Sequence, residues 1–315
     1  MMRRICEKDI YNLKCIRDIV DIKEIEGGYS GSKTFYVKTT EKEYFVKFRS
    51  WRTPHIAQNF ELFGKYMNTA KLVEQGYYHG IQYYVAEYVI AESIGTINLD
   101  IQTAHRYGNI IADEQYNLSI EKKPNIIDKV KAYLHITREI DKTYILFLRL
   151  YDKVRDTLPK NIVDMYDGVR DIIRDEKREL LHSFRDYNIY FMHNDLRMNN
   201  FLIRDDKVYT IDFEESKYEY VSFIIRTYCY DILNNTNLNI TYNFIQPLMQ
   251  KLNVNSFANF KTQMLAIYLR VIAKEFVFRH GDISVLERYA DINKEYVYNI
   301  DKLLEKFEFG EKGGI

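Results

Sequence analysis

Proline is scarce in this 315-residue chain, with 4 residues, and glycine numbers only 13, so little sequence is left for flexible linkers. No internal repeat or low-complexity tract interrupts it, and only 310–315 reads as a frayed end. Cysteine is equally sparse. Cys6, Cys15 and Cys229 are odd in number and show no C-x-x-C spacing, which argues against a zinc site or redox pair and for reduced thiols in a cytoplasmic protein. Neither sign of charge is in excess: Lys plus Arg and Asp plus Glu are both 45, so nothing global argues for nucleic acid, an anionic membrane or a polycationic substrate. Long apolar runs are missing too. Tyr144 to Leu148 stops at Arg149, far short of the roughly 20 residues that cross a bilayer, and Met1 to Asp9 meets acidic residues before any signal-peptide core develops. The chain is therefore expected to work without a membrane, without nucleic acid and without an obligate protein partner.

What is present is a large apolar fraction, 46%, enough for one big core or two smaller ones. The first ninety residues carry strand signals at Thr34 to Lys38, Glu43 to Phe48 and Gln82 to Val89, rich in aromatic and β-branched residues. Between the last two, Ile56, Phe60, Phe63, Met67, Ala70 and Leu72 recur at helical spacing, which predicts one helix over His55 to Glu74. From about Thr96 the period changes. Ile126 to Leu158, Asn161 to Tyr187, Phe260 to Phe278 and Val285 to Phe307 all read as helices. One hairpin interrupts them: Asn200 to Ile203 and Val208 to Ile211 flank the polar turn Arg204 to Lys207. The expectation is an α+β fold with two lobes, a sheet-rich nucleotide-binding lobe over 1–90 and a helical catalytic and substrate lobe over 91–315.

Chemistry concentrates at the ends of that hairpin. Phe191-Met-His-Asn-Asp-Leu-Arg-Met-Asn-Asn200 contains H-x-D-x-x-x-x-N, and Ile211-Asp212-Phe213 closes the second strand. Phosphoryl transfer asks for a carboxylate that orients the attacking hydroxyl, and for oxygen ligands that hold magnesium against a triphosphate. Asp195 suits the first task and Asn200 and Asp212 the second. His193 reads as a group packed beneath the loop that fixes its backbone.

These residues resemble the aminoglycoside phosphotransferase and choline kinase family, small-molecule relatives of the protein kinases. The likeness runs over most of the chain as an ordered series of elements and is most specific from His193 to Asp212. It implies a protein-kinase-like fold with ATP and Mg2+ as cofactors, GTP remaining an open alternative, and a small-molecule hydroxyl as acceptor. It also implies roles further upstream. Gly27, Gly28, Ser30, Gly31 and Ser32 resemble the nucleotide-covering loop; Lys47, within Phe45-Val46-Lys47-Phe48, would bind the α- and β-phosphates with Glu61 as its partner and Glu74 as the second choice; Glu87 and Val89 resemble the hinge that pairs with adenine, with Ala86 behind it. Arg197 would neutralise charge on the transferring group, where serine/threonine protein kinases carry lysine.

Two departures bear on the acceptor. Asn194 stands where family members commonly have glycine, an expected site of unusual backbone angle, and no D-P-x-x-D-L-like pattern follows Asp212. Glu214, Glu215, Glu219, Asp231 and Glu275 are candidates for an acidic lining that would receive an aminoglycoside or choline-like ammonium; Arg270, Lys274 and Arg279 are candidates for an anionic substrate or RNA. The competing readings are a protein Ser/Thr or RNA kinase and a nucleotide-binding pseudokinase. I-D-F in place of D-F-G, with no A-P-E-like segment after it, speaks against the protein kinase. Intact Lys47, Asp195, Asn200 and Asp212 speak against the pseudokinase.

Overall fold

The computed structural model describes residues 5–25, 32–49, 55–185, 188–254, 260–279 and 281–310. The chain forms two compact units, Met1–Thr96 with Asn199–Ser216, and Ile97–Met198 with Lys217–Ile315. The first is sheet-rich and the second mainly helical, the α+β class expected.

The first unit opens with α1 (Glu7–Ile10), β1 (Ile19–Glu24), β2 (Lys33–Thr39), β3 (Glu43–Phe48), α2 (Ile56–Tyr66), β4 (Leu72–Tyr78), β5 (Ile81–Glu87) and β6 (Glu92–Ser93). β1 to β5 build an antiparallel sheet in the order β1-β2-β3-β5-β4. Strand alternation sorts its residues. Val46 and Phe48 of β3 join Phe35 and Val37 of β2, Tyr83 and Val85 of β5 and the N-terminal Ile10 and Leu13 in one core. Phe45 of β3 and Tyr84 and Ala86 of β5 face the other way, onto Ile56 and Phe60 of α2. Lys47, between Val46 and Phe48, therefore belongs to the α2 side.

Helix α2 is shorter than its apolar spacing predicts. It ends at Tyr66, Met67 is extended, and Leu72 to Tyr78 is β4 instead of more helix. Tertiary pairing overrides the helical period here. Asn68 accepts the Thr210 N–H at 2.9 Å and donates its side-chain amide to the Val208 carbonyl at 3.1 Å, bonds that only an extended segment can make.

After α3 (Ile101–Glu121), α4 (Ile126–Val154), α5 (Lys160–Arg185) and β7 (Ile189–Met192), the chain re-enters the first unit as β8 (Phe201–Arg204) and β9 (Lys207–Thr210). The expected hairpin is there. Asp205 and Asp206 at its tip both have positive φ, 51° and 61°, the signature of a two-residue type I′ turn that matches strand twist. The second unit resumes with β10 (Lys217–Tyr220), paired with β7, and then α6 (Val221–Asn235), α7 (Leu238–Lys251), α8 (Phe260–Phe278) and α9 (Ile283–Gly310). Helix α4 starts on a capping box: Asn125 Oδ1 accepts from the Ile127 and Asp128 amides, and Asp128 accepts from the Asn125 amide. Helices α3 and α7 come close at Gly108, where a Cβ would sit 2.4 Å from the Phe244 carbonyl oxygen.

Candidate active site

In the first unit the centre is Lys47. It is 8% exposed, and Tyr84 stands opposite it on β5. Its ammonium ion-pairs with Asp212 Oδ1, and with Glu214 Oε1 at 2.8 Å. Burial pulls its pKa down, but Glu214 and Asp212 outweigh that and hold it above the ordinary lysine value. Glu214 also accepts from Arg49 Nη1 at 2.6 Å and from the Tyr84 hydroxyl at 3.0 Å. Burial, reinforced by Glu214, pushes the Tyr84 phenol well above its usual range, so it stays an O–H donor.

Asp212 reaches Lys47 through an uncommon backbone. Its φ of 60° and ψ of 33° are left-handed, tolerated by Asp better than by most residues, and they turn the chain from β9 into the short 3-10 turn Phe213–Glu215. Phe213 is clamped there, stacked on Phe63 at 4.4 Å and edge-on to Phe60 at 4.8 Å, while Asn59 Nδ2 donates to the Glu214 carbonyl at 3.3 Å. The Ile211 amide donates to the Asn200 carbonyl at 2.9 Å and continues the hairpin register by one pair. Asn200 and Asp212 thus flank the same open end.

Glu61 is not the partner of Lys47. It lies exposed on α2, two residues from each of the inward-facing Asn59 and Phe63, and Glu74 instead accepts from the Tyr83 hydroxyl. Gly27, Gly28, Ser30 and Gly31 fall outside the described residues; Ser32 immediately precedes β2. At the expected hinge, the Glu87 amide bonds to the Lys71 carbonyl, its carboxylate to Lys42 at 3.1 Å, and the Tyr88 amide to the Glu43 carbonyl. Among the described residues no backbone hydrogen bond engages Val89. Ala86 is buried on the same sheet face as Lys47.

The second unit carries Asp195 and Arg197. Arg197 Nε lies 2.9 Å from Asp195 Oδ1, and both side chains are partly exposed, 52% and 36%. Their loop is tied from below. Buried His193 accepts the Asp195 amide on Nδ1 at 3.2 Å, the His193 amide goes to Gln115 Oε1, and the Met198 amide goes to Asp231 Oδ2 at 2.8 Å. The unusual backbone angle expected at Asn194 is absent; positive φ falls on Asp212 instead.

The remaining charged candidates are engaged one by one. Glu219 is buried and pairs with His135, Glu275 pairs with Arg288 at 2.5 Å, and Glu214 is enclosed by its two cations, so these three acids are engaged separately, while the Glu215 side chain falls outside the described residues. Arg270 and Lys274 meet Glu139, and Arg279 meets Glu275, which removes the free basic stripe.

Sequence reading missed Arg49 and Tyr84, and gave Glu214 and Asp231 another task, an acidic lining. A signal existed for the first unit: Arg49 follows Lys47 by two residues, the strand repeat that returns a side chain to the same face. Asp231 gave no such sign. Burial raises its carboxyl pKa and Asp195 adds to the rise, against the lowering effects of the Met198 amide and Arg197. A raised carboxyl favours the fold below the unfolded value, and that contribution is lost as pH climbs through the folded one. Asp231→Asn keeps an acceptor for Met198 and removes the ionisation cost, so it should unfold later than Asp231→Ala at either pH, and should gain on wild type between pH 4 and pH 7. Urea titrations at the two pH values measure this; the Ala variant should lose about 1–3 kcal/mol.

No protein-family model matches the sequence, and no curated protein does. Solved structures do match. An aminoglycoside phosphotransferase from Alicyclobacillus acidocaldarius subsp. acidocaldarius DSM 446 aligns over 98% of this chain and 98% of its own, with 14% identity and a TM-score of 0.59. A spectinomycin phosphotransferase in complex with ADP and spectinomycin covers 90% of this chain and 89% of its own at 13% identity, TM-score 0.54. The Plasmodium vivax ethanolamine kinase covers 92% and 85% at 12% identity, also TM-score 0.54. The chain has the kinase-like fold that these proteins share.

Proposed function

We propose that this chain is an ATP- and Mg2+-dependent phosphotransferase that moves the γ-phosphate to a hydroxyl of a small molecule, an aminoglycoside or other antibiotic, a choline-like or a sugar-like acceptor. The observation that carries the proposal is the buried Lys47 ammonium held against Asp212, with Asn200 at the same hairpin end. A lysine kept above its ordinary pKa is a permanent cation for the α- and β-phosphates. Asn200 and Asp212 are hard oxygen donors, and magnesium takes few protein ligands because phosphates and water complete its shell. That donor set fits the ion. Among the described residues no group of three His, Cys, Asp or Glu is arranged for a metal that needs a full protein cage.

The metal, when bound, would neutralise charge between the β- and γ-phosphates. Val89 would meet adenine through its unengaged backbone, with Glu87 beside it, and the loop carrying Gly27, Gly28, Ser30, Gly31 and Ser32 would cover the phosphates. Asp195 would accept the acceptor hydroxyl proton while Arg197 neutralises charge on the transferring group. The names of the solved neighbours, which act on spectinomycin and ethanolamine among others, support a small hydroxyl compound as acceptor.

Thermal unfolding with nucleotide tests the first half. ATP at about a hundred times its Kd, with millimolar magnesium, should raise Tm by roughly 3 °C or more, and Asp212→Asn should lose most of the magnesium-dependent part. If ATP and GTP both leave Tm unchanged and calorimetry registers no binding, the proposal fails. A screen of ATP consumption against aminoglycosides, macrolides, choline, ethanolamine, sugars, protein substrates and RNA then names the acceptor.

A further inference from the structure

We infer that Glu214, and no residue of α2, is the positioning residue that holds Lys47 for nucleotide; the inference rests on the nucleotide role proposed for Lys47. The two carboxylates that meet Lys47 differ in kind. The Asp212 side chain is 38% exposed and has a second proposed task at the metal, whereas the Glu214 side chain is 1% exposed. One oxygen, Glu214 Oε1, carries three contacts: Lys47 at 2.8 Å, Arg49 at 2.6 Å and the Tyr84 hydroxyl at 3.0 Å. A carboxylate drawn to a divalent cation neutralises a neighbouring ammonium less. Glu214 is therefore the partner that stays when nucleotide and metal arrive.

Arg49 sets what that partnership leaves over. With Lys47 and Arg49 each +1 and Glu214 and Asp212 each −1, the four groups sum to zero while Asp212 faces Lys47. Once Asp212 serves the metal, the other three sum to +1. Glu214 thus fixes the ammonium in place while sharing its charge with the Arg49 guanidinium on the same oxygen. Helix α2 meets this centre through neutral groups, the Asn59 amide and the rings of Phe60 and Phe63, and Glu61 is exposed.

Removing one member of a buried ion cluster strands the others, so Glu214→Gln by itself mixes lost positioning with lost stability. The double variant Arg49→Gln/Glu214→Gln removes one charge of each sign and separates the two. Calorimetry with Mg·ADP and thermal unfolding of the nucleotide-free protein are the readouts. Glu214→Gln should weaken Mg·ADP by about 30-fold and lower Tm. The double variant should regain most of the Tm yet remain at least about tenfold weak. Recovery of affinity in the double variant to within about threefold of wild type would reduce Glu214 to a structural role and overturn the inference. So would a Glu214→Gln defect that vanishes at saturating magnesium, the mark of a metal ligand, or a loss from Glu61→Gln as large as that from Glu214→Gln. Lys47→Ala separates this inference from its premise: unchanged Mg·ADP affinity in that variant would overturn both.

Discussion

Asp195→Asn should lower turnover by about a thousandfold and leave Mg·ATP affinity within about threefold of wild type, the split expected if Asp195 acts, as proposed, on the acceptor hydroxyl and not on the nucleotide. Amide and carboxylate are nearly the same size, so the loop should survive the exchange. Its ties come from other residues: His193 holds the Asp195 backbone amide, Asp231 holds the Met198 amide, and neither bond uses the Asp195 side chain. What the variant loses is the proton acceptor, together with charge pairing to Arg197 at 2.9 Å. Single-turnover rates with a confirmed acceptor, beside calorimetry with nucleotide, measure the two halves separately. A variant with full turnover would move the chemistry away from Asp195.

Two glycines on helices of the second unit should respond to alanine with opposite sign. Gly108→Ala adds a methyl group 2.4 Å from the Phe244 carbonyl oxygen, a backbone atom that cannot rotate away. The new side chain gains about 1 kcal/mol in helix propensity, but forcing two packed helices apart costs typically 1–3 kcal/mol and more where backbone is struck. Overpacking wins, and Tm should fall by roughly 5 °C or more. Gly168, inside α5, has no atom within 4 Å of its would-be Cβ. There only the propensity gain remains, and Gly168→Ala should raise stability by about 0.5–1 kcal/mol. Differential scanning of the two variants beside wild type is sufficient; a stable Gly108→Ala would mean that α3 and α7 pack with more slack than the backbone geometry allows.

Local signals carried much of this fold. Phe260–Phe278 is a helix with the bounds its apolar spacing predicts, and the hairpin around Asp205 and Asp206 was legible because polar turn residues separate two apolar runs. β4 was illegible for a physical reason: Glu74, Gln75 and Gly76 give it poor strand propensity, and Ala70 and Leu72 extend the helical period of α2. β1, read only as a strand-like segment ahead of the glycine loop, alternates weakly, with Val20 exposed and Ile19 and Ile22 half-buried. At the site, the types and spacing of Lys47, Asp195, Asn200 and Asp212 suggested roles without contacts. Which acid meets Lys47 depends on the phase of α2 against the sheet, and that phase turns Asn59 inward and Glu61, two positions on, toward solvent. No single-sequence pattern fixes that phase.

The re-entry of 199–216 into the first unit has a consequence for synthesis. Lys47 and Arg49 are each 165 residues ahead of the carboxylates that neutralise them. At typical elongation speeds of about 5–20 residues per second, that distance is roughly 8–30 s of translation during which two cations destined for burial have no Asp212 or Glu214 to meet. A nascent chain ending at Thr96 would carry the five sheet strands but not β8, β9 or the Phe213 turn that packs on α2. Its sheet face would stay wet and its α2 loosely held. The first unit is thus finished late, after all of α3 to α5 has been made, and a protease added to stalled ribosomes should cut the 1–96 portion readily until residue 216 has cleared the exit tunnel.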